Sequence, residues 1–172
     1  MVSFGTSHPD AIAKTIEVIE QEAAQRYPDC CVYRAFTSGM VIRRLKRREN
    51  LQIETVSEAL DHMAADGVEE AIVQPTLMIN GVEHDRMTEA LIEHMGCFHR
   101  ICVGKPLLSG VEDYKKAIHA VMAETEVRED EVLVLMGNGT DHYANSAYAM
   151  LEYTFHALGY HQVLVGRSEE HT

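Results

Sequence analysis

The sequence predicts an α/β fold with parallel sheets, arranged as two similar lobes. Short apolar runs alternate with amphipathic helical patterns along the chain, which is typical of strands joined by crossover helices. Two of these runs, Val2–Phe4 and Val132–Met136, break into glycine-containing loops, and a helical pattern follows each loop. Because ligands bind outside the carboxyl ends of strands in such sheets, we expect the two loops to face a common cleft.

Composition and charge argue against several classes of function. The 172 residues include 15 Lys and Arg against 27 Asp and Glu, a formal net charge of −12 that argues against a nucleic-acid partner. No apolar stretch reaches the roughly 18 residues that a membrane span needs, and no signal peptide is recognisable. We therefore expect a cytoplasmic protein without a membrane partner. An acidic small substrate is compatible with this charge if local cations and backbone N–H groups bind it.

The four cysteines show neither C-x-x-C spacing nor the paired pattern of zinc ligands. Three of them fall in predicted strands and one falls just before a strand. We interpret them as small buried apolar residues rather than redox or metal-binding groups. They are Cys30, Cys31, Cys97 and Cys102.

The first lobe, residues 1–127, is predicted to form a parallel sheet of about four strands with helices on both faces. Apolar runs give the strands and 3.6-residue periodicity gives the helices, while Thr55–Glu58 and Ser109–Glu112 have the spacing of capping boxes. After the first strand we predict helix 9–26, strand 30–36, helix 40–48, helix 55–67, strand 70–75, loop 76–84, a helix around Met87–Met95, strand 99–103 and a helix around 109–122.

The second lobe, residues 128–166, is predicted to be incomplete. It contains strand 132–136, helix 144–158 and strand 161–165. One βαβ unit cannot cover both faces of its own sheet, so we expect an exposed apolar face. Because the first strand is short and residues 167–172 resemble a non-native tail, we also expect a chain that is truncated at both ends.

A basic segment ends the helix predicted over residues 40–48, the fourth element of the first lobe. Cations near the C-terminal end of a helix interact favourably with its dipole, so a solvated helix face explains the segment. The alternative is an anchor for the carboxylates of a ligand or of a partner subunit. The segment comprises Arg43, Arg44, Lys46, Arg47 and Arg48.

Side chains that can handle protons or metal ions recur at predicted loop tips. Each one alone is explained as a solvated loop residue, but imidazole and carboxylate groups from separate strands together suit a divalent ion. The tips carry Ser7 and His8, Glu83 and His84, and Asp141 and His142. Four further histidines fall within predicted helices and are interpreted as surface or packing residues: His62, His94, His119 and His156.

Common nucleotide and hydrolase motifs are absent from the sequence. Gly137–Gly139 lacks the third glycine and the acidic residue of a dinucleotide-binding fingerprint. The chain has neither a G-x-S-x-G elbow nor an H-E-x-x-H helix, which excludes the hydrolase and zinc-peptidase signatures.

Five segments in order carry a resemblance to a known family: V-S-F-G-T-S from Val2, R-A-F-T-S-G-M from Arg34, I-N-G-V-E from Ile79, K-P-L-L from Lys105 and M-G-N-G from Met136. Together they resemble the anaerobic sirohydrochlorin cobaltochelatases, the class II chelatases of the early-cobalt route to cobalamin. The resemblance covers residues 1–166. It implies a chelatase-like fold of two Rossmann-like lobes, of which the second is incomplete in this chain.

The resemblance also implies a reaction. The expected activity is the insertion of Co²⁺ into sirohydrochlorin, a carboxylate-rich tetrapyrrole, without ATP and without an organic cofactor. Cobalt is then a substrate metal, and a homo-oligomer is compatible with the resemblance. The substrate-binding residues that it implies are Thr6, Ser7, Glu83, Gly137 and Gly139.

The chain departs from the family pattern at one central position. The resemblance implies a histidine in an M-G-H-G loop as metal ligand and proton acceptor, and Asn138 replaces it here. An amide cannot take a proton at neutral pH, and His142 is the candidate substitute. Because most of the second lobe is also missing, we expect this fragment to be inactive. The family's metal-binding glutamate falls on Glu169, within the presumed tail, and a further histidine would lie beyond Thr172.

Two other functions stay open. The first is a non-catalytic module that binds a tetrapyrrole or a metal, in which Asn138 is an adaptation. Tight binding of sirohydrochlorin without metallation would favour it. The second is an unrelated α/β enzyme that contacts phosphate at Gly5–Ser7, and a phosphate bound at the helix near Pro9 would favour that one.

Overall fold

A computed structural model describes residues 1–128 and 130–168 of the chain. The predicted α/β class is confirmed. The strands are β1 Val2–Ser3, β2 Ala35–Phe36, β3 Glu70–Val73, β4 Arg100–Val103, β5 Leu133–Gly137 and β6 Val163–Arg167. The helices are α1 Pro9–Ala11, α2 Glu17–Arg26, α3 Gly39–Glu49, α4 Val56–Ala65, α5 Val82–His94, α6 Val111–Glu124 and α7 Ser146–Ala157.

Three shorter helical segments complete the elements. A π-helical turn, Ile12–Ile16, joins α1 to α2, so the helix predicted over residues 9–26 is confirmed. The turns Met95–Cys97 and Tyr143–Asn145 are 3-10 helices, and the second leads directly into α7.

The first compact unit comprises residues 1–77 and 83–105 and contains a parallel sheet. Strand β1 pairs with β2, and β3 pairs with β4. Backbone N–H groups join the two pairs, because Val2 donates to Gln74 O at 2.9 Å and Thr76 donates to Val2 O at 2.8 Å. The resulting order β2-β1-β3-β4 agrees with the predicted parallel sheet of about four strands.

Apolar side chains cover this sheet from two helical layers. Helices α4 and α5 contribute Leu60, Met87 and Leu91, which cluster with strand residues such as Val2 and Val73. A separate cluster joins the π-helical turn and α3 to β2 and consists of Ile12, Ile16, Phe36 and Leu45. Packing on both sides fixes the loops that leave the carboxyl ends of the strands.

Helix α4 begins at a complete capping box, as predicted. Thr55 Oγ1 accepts a hydrogen bond from the N–H of Glu58 at 3.3 Å, and the Glu58 carboxylate accepts from the N–H of Thr55 at 2.8 Å. The second predicted box does not form. Helix α6 begins after Gly110, one residue later than a box on Ser109 requires, and Ser109 Oγ instead donates to Pro106 O at 2.7 Å.

The capping box on α4 gives a stability prediction. Thr55→Ala should lower the free energy of unfolding by about 1 kcal/mol, because the N–H of Glu58 loses its acceptor. Thr55→Ser keeps the hydroxyl and should stay within about 0.5 kcal/mol of the wild type. Urea denaturation followed by circular dichroism measures both variants, and equal stability of the two would contradict the prediction.

The second compact unit comprises residues 78–82 and the described residues from Pro106 onward. Strands β5 and β6 pair in parallel, and α7 connects them. One core cluster joins α6, α7 and β6 through Ile118, Phe155 and Val163. Helix α6 therefore packs in this unit, whereas the sequence assigned it to the first lobe. The lobe boundaries themselves stay a prediction.

The other face of the β5–β6 pair is apolar and exposed, as expected for a single βαβ unit. Val134, Met136 and Leu164 are 55%, 70% and 46% exposed. Their neighbours Leu133 and Leu135 point to the opposite side, where they pack against the helices. This difference follows from the alternation of side chains along a strand.

The predicted burial of the cysteines is wrong. All four are exposed. Strand β2 is limited to Ala35–Phe36, so Cys30 and Cys31 precede it, and Cys97 lies in a 3-10 turn. Cys102 is in β4, but it pairs with Ile72 of β3, which is 74% exposed. An apolar run predicts a strand without showing which of its faces is covered.

The loop predicted over residues 76–84 is shorter in the structure. Helix α5 begins at Val82 and includes Glu83 and His84 in its first turns. Acidic side chains in a first turn are stabilised by the positive end of the helix dipole, which explains why Glu83 and Asp85 extend the helix there. Within the described ranges, no helix is both long enough and apolar enough to cross a membrane.

Candidate functional site

The carboxyl ends of β1, β2 and β3 lie at one edge of the parallel sheet in the first unit, which we call the strand-end edge. The end of β1 and the segment after β3 are tied by two hydroxyls, because Thr76 Oγ1 donates to Ser3 Oγ at 2.8 Å. Ser3 is buried. The loops that hold Thr6, Ser7 and Thr37 begin at this edge. The helix after each loop also begins there, because a crossover helix starts near the carboxyl end of the strand that precedes it.

The β1–α1 loop lies close to β2 because it contains glycine. Gly5 has a φ of 92°, and a Cβ at this position would lie 2.3 Å from the ring of Phe36. In the same loop, Thr6 Oγ1 accepts from a backbone N–H at 3.3 Å, and Ser7 Oγ accepts from Arg44 Nη1 at 3.4 Å. Each hydroxyl keeps its own proton and can donate it to an acceptor on a ligand.

The R-A-F-T-S-G-M segment anchors strand β2 and caps helix α3. Arg34 bonds to Glu20 and forms an ion pair with Glu17 at 3.3 Å, which anchors β2 to α2. The hydrogen bonds to Glu20 raise the pKa of Arg34. Ser38 caps α3 through its hydroxyl. Thr37 Oγ1 differs from these groups, because it is buried and has no hydrogen-bond partner among residues 1–128 and 130–168.

A groove of about 140 Å³ opens beside Thr37 in the first unit. Its polar lining comes from Thr37, from Thr55 and Ser57 at the start of α4, and from Arg86 of α5. Hydroxyl groups next to a guanidinium suit an acidic or carbonyl group of a ligand.

Glu83 is connected to this groove through Arg86. Its Oε1 accepts from Arg86 Nη1 at 2.8 Å. Its Oε2 is buried and has no hydrogen-bond partner within the described part of the chain. Buried polar atoms nearly always have partners, so an unpartnered carboxylate oxygen next to Arg86 of this small groove can accept a proton or bind a cation.

In the second unit, the M-G-N-G loop is packed tightly. A Cβ on Gly137 would lie 2.3 Å from the ring of Tyr148, and one on Gly139 would lie 1.8 Å from the carbonyl oxygen of Ser168. Tyr148 Oη donates to the carbonyl oxygen of Asn138 at 2.6 Å, and burial raises the pKa of Tyr148, so the phenol stays protonated. Both glycines therefore have packing roles, and their contact with substrate stays a prediction.

Asn138 and His142 differ in their surroundings. Asn138 is exposed at the tip of its loop. His142 Nδ1 accepts from the N–H of Ala144 at 3.2 Å, and its ring lies 4.1 Å from that of Tyr143, measured between centroids. A neutral His142 thus carries its proton on Nε2. In this tautomer the lone pair is on Nδ1, so to replace the family histidine His142 would have to give up its hydrogen bond from Ala144, and this role stays a prediction.

The predicted site residues divide between the two units. Thr6, Ser7 and Glu83 lie in the first, and Gly137, Asn138, Gly139 and His142 lie in the second. Glu169 lies outside the described residues. No cluster of three or more His, Cys, Asp or Glu side chains that could hold a metal ion occurs in residues 1–128 and 130–168.

Thr37 and Arg86 are not among the site residues that the sequence predicts. Thr37 belongs to the R-A-F-T-S-G-M segment, and its place directly after a predicted strand is a sequence signal for a ligand-binding position. Arg86 follows Glu83 by three residues, the spacing at which helical side chains meet, but this signal requires a helix at Glu83, where the sequence predicts a loop.

Comparison with known proteins agrees with the motifs. A family model described as Cobalt chelatase (CbiK) matches residues 1–171. The chain is 38% identical over 154 residues to the sirohydrochlorin cobaltochelatase of Salmonella typhimurium. It is 30% identical over 156 residues to the sirohydrochlorin cobaltochelatase CbiKC of Nitratidesulfovibrio vulgaris.

These alignments cover 89% and 88% of the chain. They cover 58% and 54% of the two relatives, so the chain spans a little more than half the length of the proteins that it matches. The resemblance that the five motifs predicted is confirmed. On its sequence, its α/β fold and these matches, the chain belongs to the cobalt chelatase (CbiK) family.

Proposed function

We propose that the chain binds sirohydrochlorin at the strand-end edge of its first unit and takes part in inserting Co²⁺ into it. The family and the names of the two relatives support this reaction. The structural observation that carries the proposal is Glu83, whose Oε2 is buried without a hydrogen-bond partner in the described part of the chain. Cobalt is a substrate in this proposal, and no organic cofactor takes part.

The chemistry of insertion needs a proton acceptor. Pyrrole N–H protons leave the macrocycle while Co²⁺ gains the nitrogen ligands, and no oxidation or phosphoryl transfer is involved. Because no phosphoryl group is transferred and no atom is oxidised, this chemistry supports a reaction without ATP. A carboxylate that Arg86 holds through Oε1 can receive a proton or bind the ion transiently through Oε2. The hydroxyls of Thr6 and Ser7 can donate to the carboxylates of the substrate.

We expect cobalt insertion by this chain to be slow. Asn138 occupies the position at which the resemblance implies a proton-accepting histidine, and an amide lacks this capacity at neutral pH. Substrate contact by Gly137 and Gly139, and the replacement of the family histidine by His142, remain predictions from the sequence. A cytoplasmic location, a homo-oligomeric state and the absence of nucleic-acid or membrane partners remain predictions from the sequence.

The exposed amide of Asn138 also favours a second function, the non-catalytic binding of a tetrapyrrole. An exposed asparagine can hydrogen-bond a carboxylate or a carbonyl group without taking up a proton. Binding is common to both functions, and metallation distinguishes them.

Anaerobic absorbance titration with metal-free sirohydrochlorin tests the proposal. We expect a saturable change in the macrocycle spectrum, followed on addition of Co²⁺ by a slow metallation that ATP does not accelerate. The uncatalysed reaction without protein is the control. Saturable binding with metallation no faster than this control would favour the second function. Absence of saturable binding would contradict both.

A further inference from the structure

Two guanidinium groups of α3 lie near the strand-end edge. Arg44 Nη1 donates to Ser7 Oγ at 3.4 Å, which places this cation at the loop that follows β1. Arg43 Nη1 lies 3.2 Å from the position that a Cβ on Gly39 would occupy, and Gly39 is the first residue of α3. Since helical side chains lean toward the N-terminus, both groups lie over the beginning of the helix rather than its end.

The helix dipole does not explain these two positions. A cation near the N-terminal end of a helix faces the positive end of the dipole, whereas Arg47 and Arg48 lie in the last turn, where a cation is favourable. The solvated-face explanation therefore applies to the end of the basic segment. The placement of Arg43 and Arg44 near the positive end of the helix dipole is electrostatically unfavourable, so it requires another explanation.

Neither group is neutralised within the described residues. Among residues 1–128 and 130–168, four arginines form ion pairs with carboxylates: Arg34, Arg86, Arg100 and Arg128. Arg43 and Arg44 form none there, and neither do Arg47 and Arg48, so the position over the beginning of α3 is what distinguishes Arg43 and Arg44. Both side chains are exposed. In a chain with 27 acidic and 15 basic residues, two adjacent cations without a carboxylate partner form a local positive site for an anion.

We propose that Arg44 and Ser7, with Arg43 beside them, bind a carboxylate on the periphery of the tetrapyrrole. This inference rests on the proposed function and assigns to it a group that recognises the substrate. The planar guanidinium offers two parallel donors that match a carboxylate. Because Ser7 Oγ accepts from Arg44, its proton is oriented away from the guanidinium and can be donated to the same ligand.

Matched charge removal on one helix tests this site. At physiological ionic strength, Arg44→Gln should weaken the binding of metal-free sirohydrochlorin about tenfold, because a charge-assisted hydrogen bond is lost. Arg47→Gln removes the same charge from the last turn of α3 and should change the affinity less than about twofold. Thermal unfolding followed by circular dichroism checks that both variants fold as the wild type does.

A change in the ligand completes the test. The octamethyl ester of sirohydrochlorin keeps the macrocycle but has no ionised carboxylates, so the wild type and Arg44→Gln should bind it within about twofold of each other. If the wild type binds sirohydrochlorin and Arg44→Gln binds it equally well, the proposed carboxylate site is wrong, while the proposed function is not affected. An equal loss of affinity for Arg47→Gln would also overturn the proposed site, since general electrostatic attraction to the positive charge of α3 would then explain the binding. Absence of binding by the wild type would overturn the proposed function together with the site.

Discussion

Glu83→Gln should slow cobalt insertion about a hundredfold without unfolding the chain, which is the size of effect expected when a group that takes up a proton is removed. The glutamine keeps an oxygen that can accept from Arg86, so the contact at 2.8 Å can persist. The buried Oε2 is replaced by an amide nitrogen, which neither accepts a proton nor binds a cation. The rate of metallation at saturating sirohydrochlorin and Co²⁺ measures the change.

The control for this variant lies on the same helix. Glu93→Gln removes the same charge from an exposed position in α5 and should leave the metallation rate within about twofold of its parent. Both variants should keep the free energy of unfolding within about 1 kcal/mol of the wild type. If Glu83→Gln metallates sirohydrochlorin as fast as its parent, Glu83 is not the group that takes up the proton.

Asn138→His should raise the rate of cobalt insertion, by about a hundredfold if the imidazole takes up the proton. The surrounding loop should be preserved, because Tyr148 bonds the backbone carbonyl of this residue and the side chain is exposed. An unperturbed imidazole loses its proton-accepting form below a pH of about 6.5, so the gain should fall as the pH decreases through that value. Metallation rates across this pH range measure both effects.

Asn138→Gln is the matched control, since it lengthens the side chain and retains the amide. It should metallate sirohydrochlorin no faster than the wild type. A rate for Asn138→His equal to that of the glutamine variant would show that the asparagine does not limit insertion. Non-catalytic binding would then become the better account.

Regular periodicity allowed most of the fold to be predicted. The long helix 9–26 and the capping box at Thr55 follow from local patterns that the structure keeps. The packing of α6 could not be predicted in this way, because its apolar face fits any adjacent layer and Ile118 happens to cluster with Phe155. The exposure of Cys102 is a similar case, since it depends on the layer that covers its face of the sheet.

The candidate site was predictable where a motif fixed a loop and less so where side chains meet across elements. Gly5, Thr6 and Ser7 follow β1 as expected, and the positive φ of Gly5 gives the physical reason for glycine. Arg44 could be seen only as part of a charged segment. Its contact with Ser7 joins residues that are 37 positions apart, which local sequence patterns do not encode.

The most direct test of the central claim is NMR of the ¹⁵N-labelled chain during titration with metal-free sirohydrochlorin. Binding at the strand-end edge of the first unit predicts saturable shifts of the backbone amides of Thr6, Ser7, Thr37 and Glu83, with small shifts at Val134 and Leu164 on the exposed apolar face of the second unit. Shifts concentrated on that apolar face, with the four edge amides unchanged, would contradict the claim.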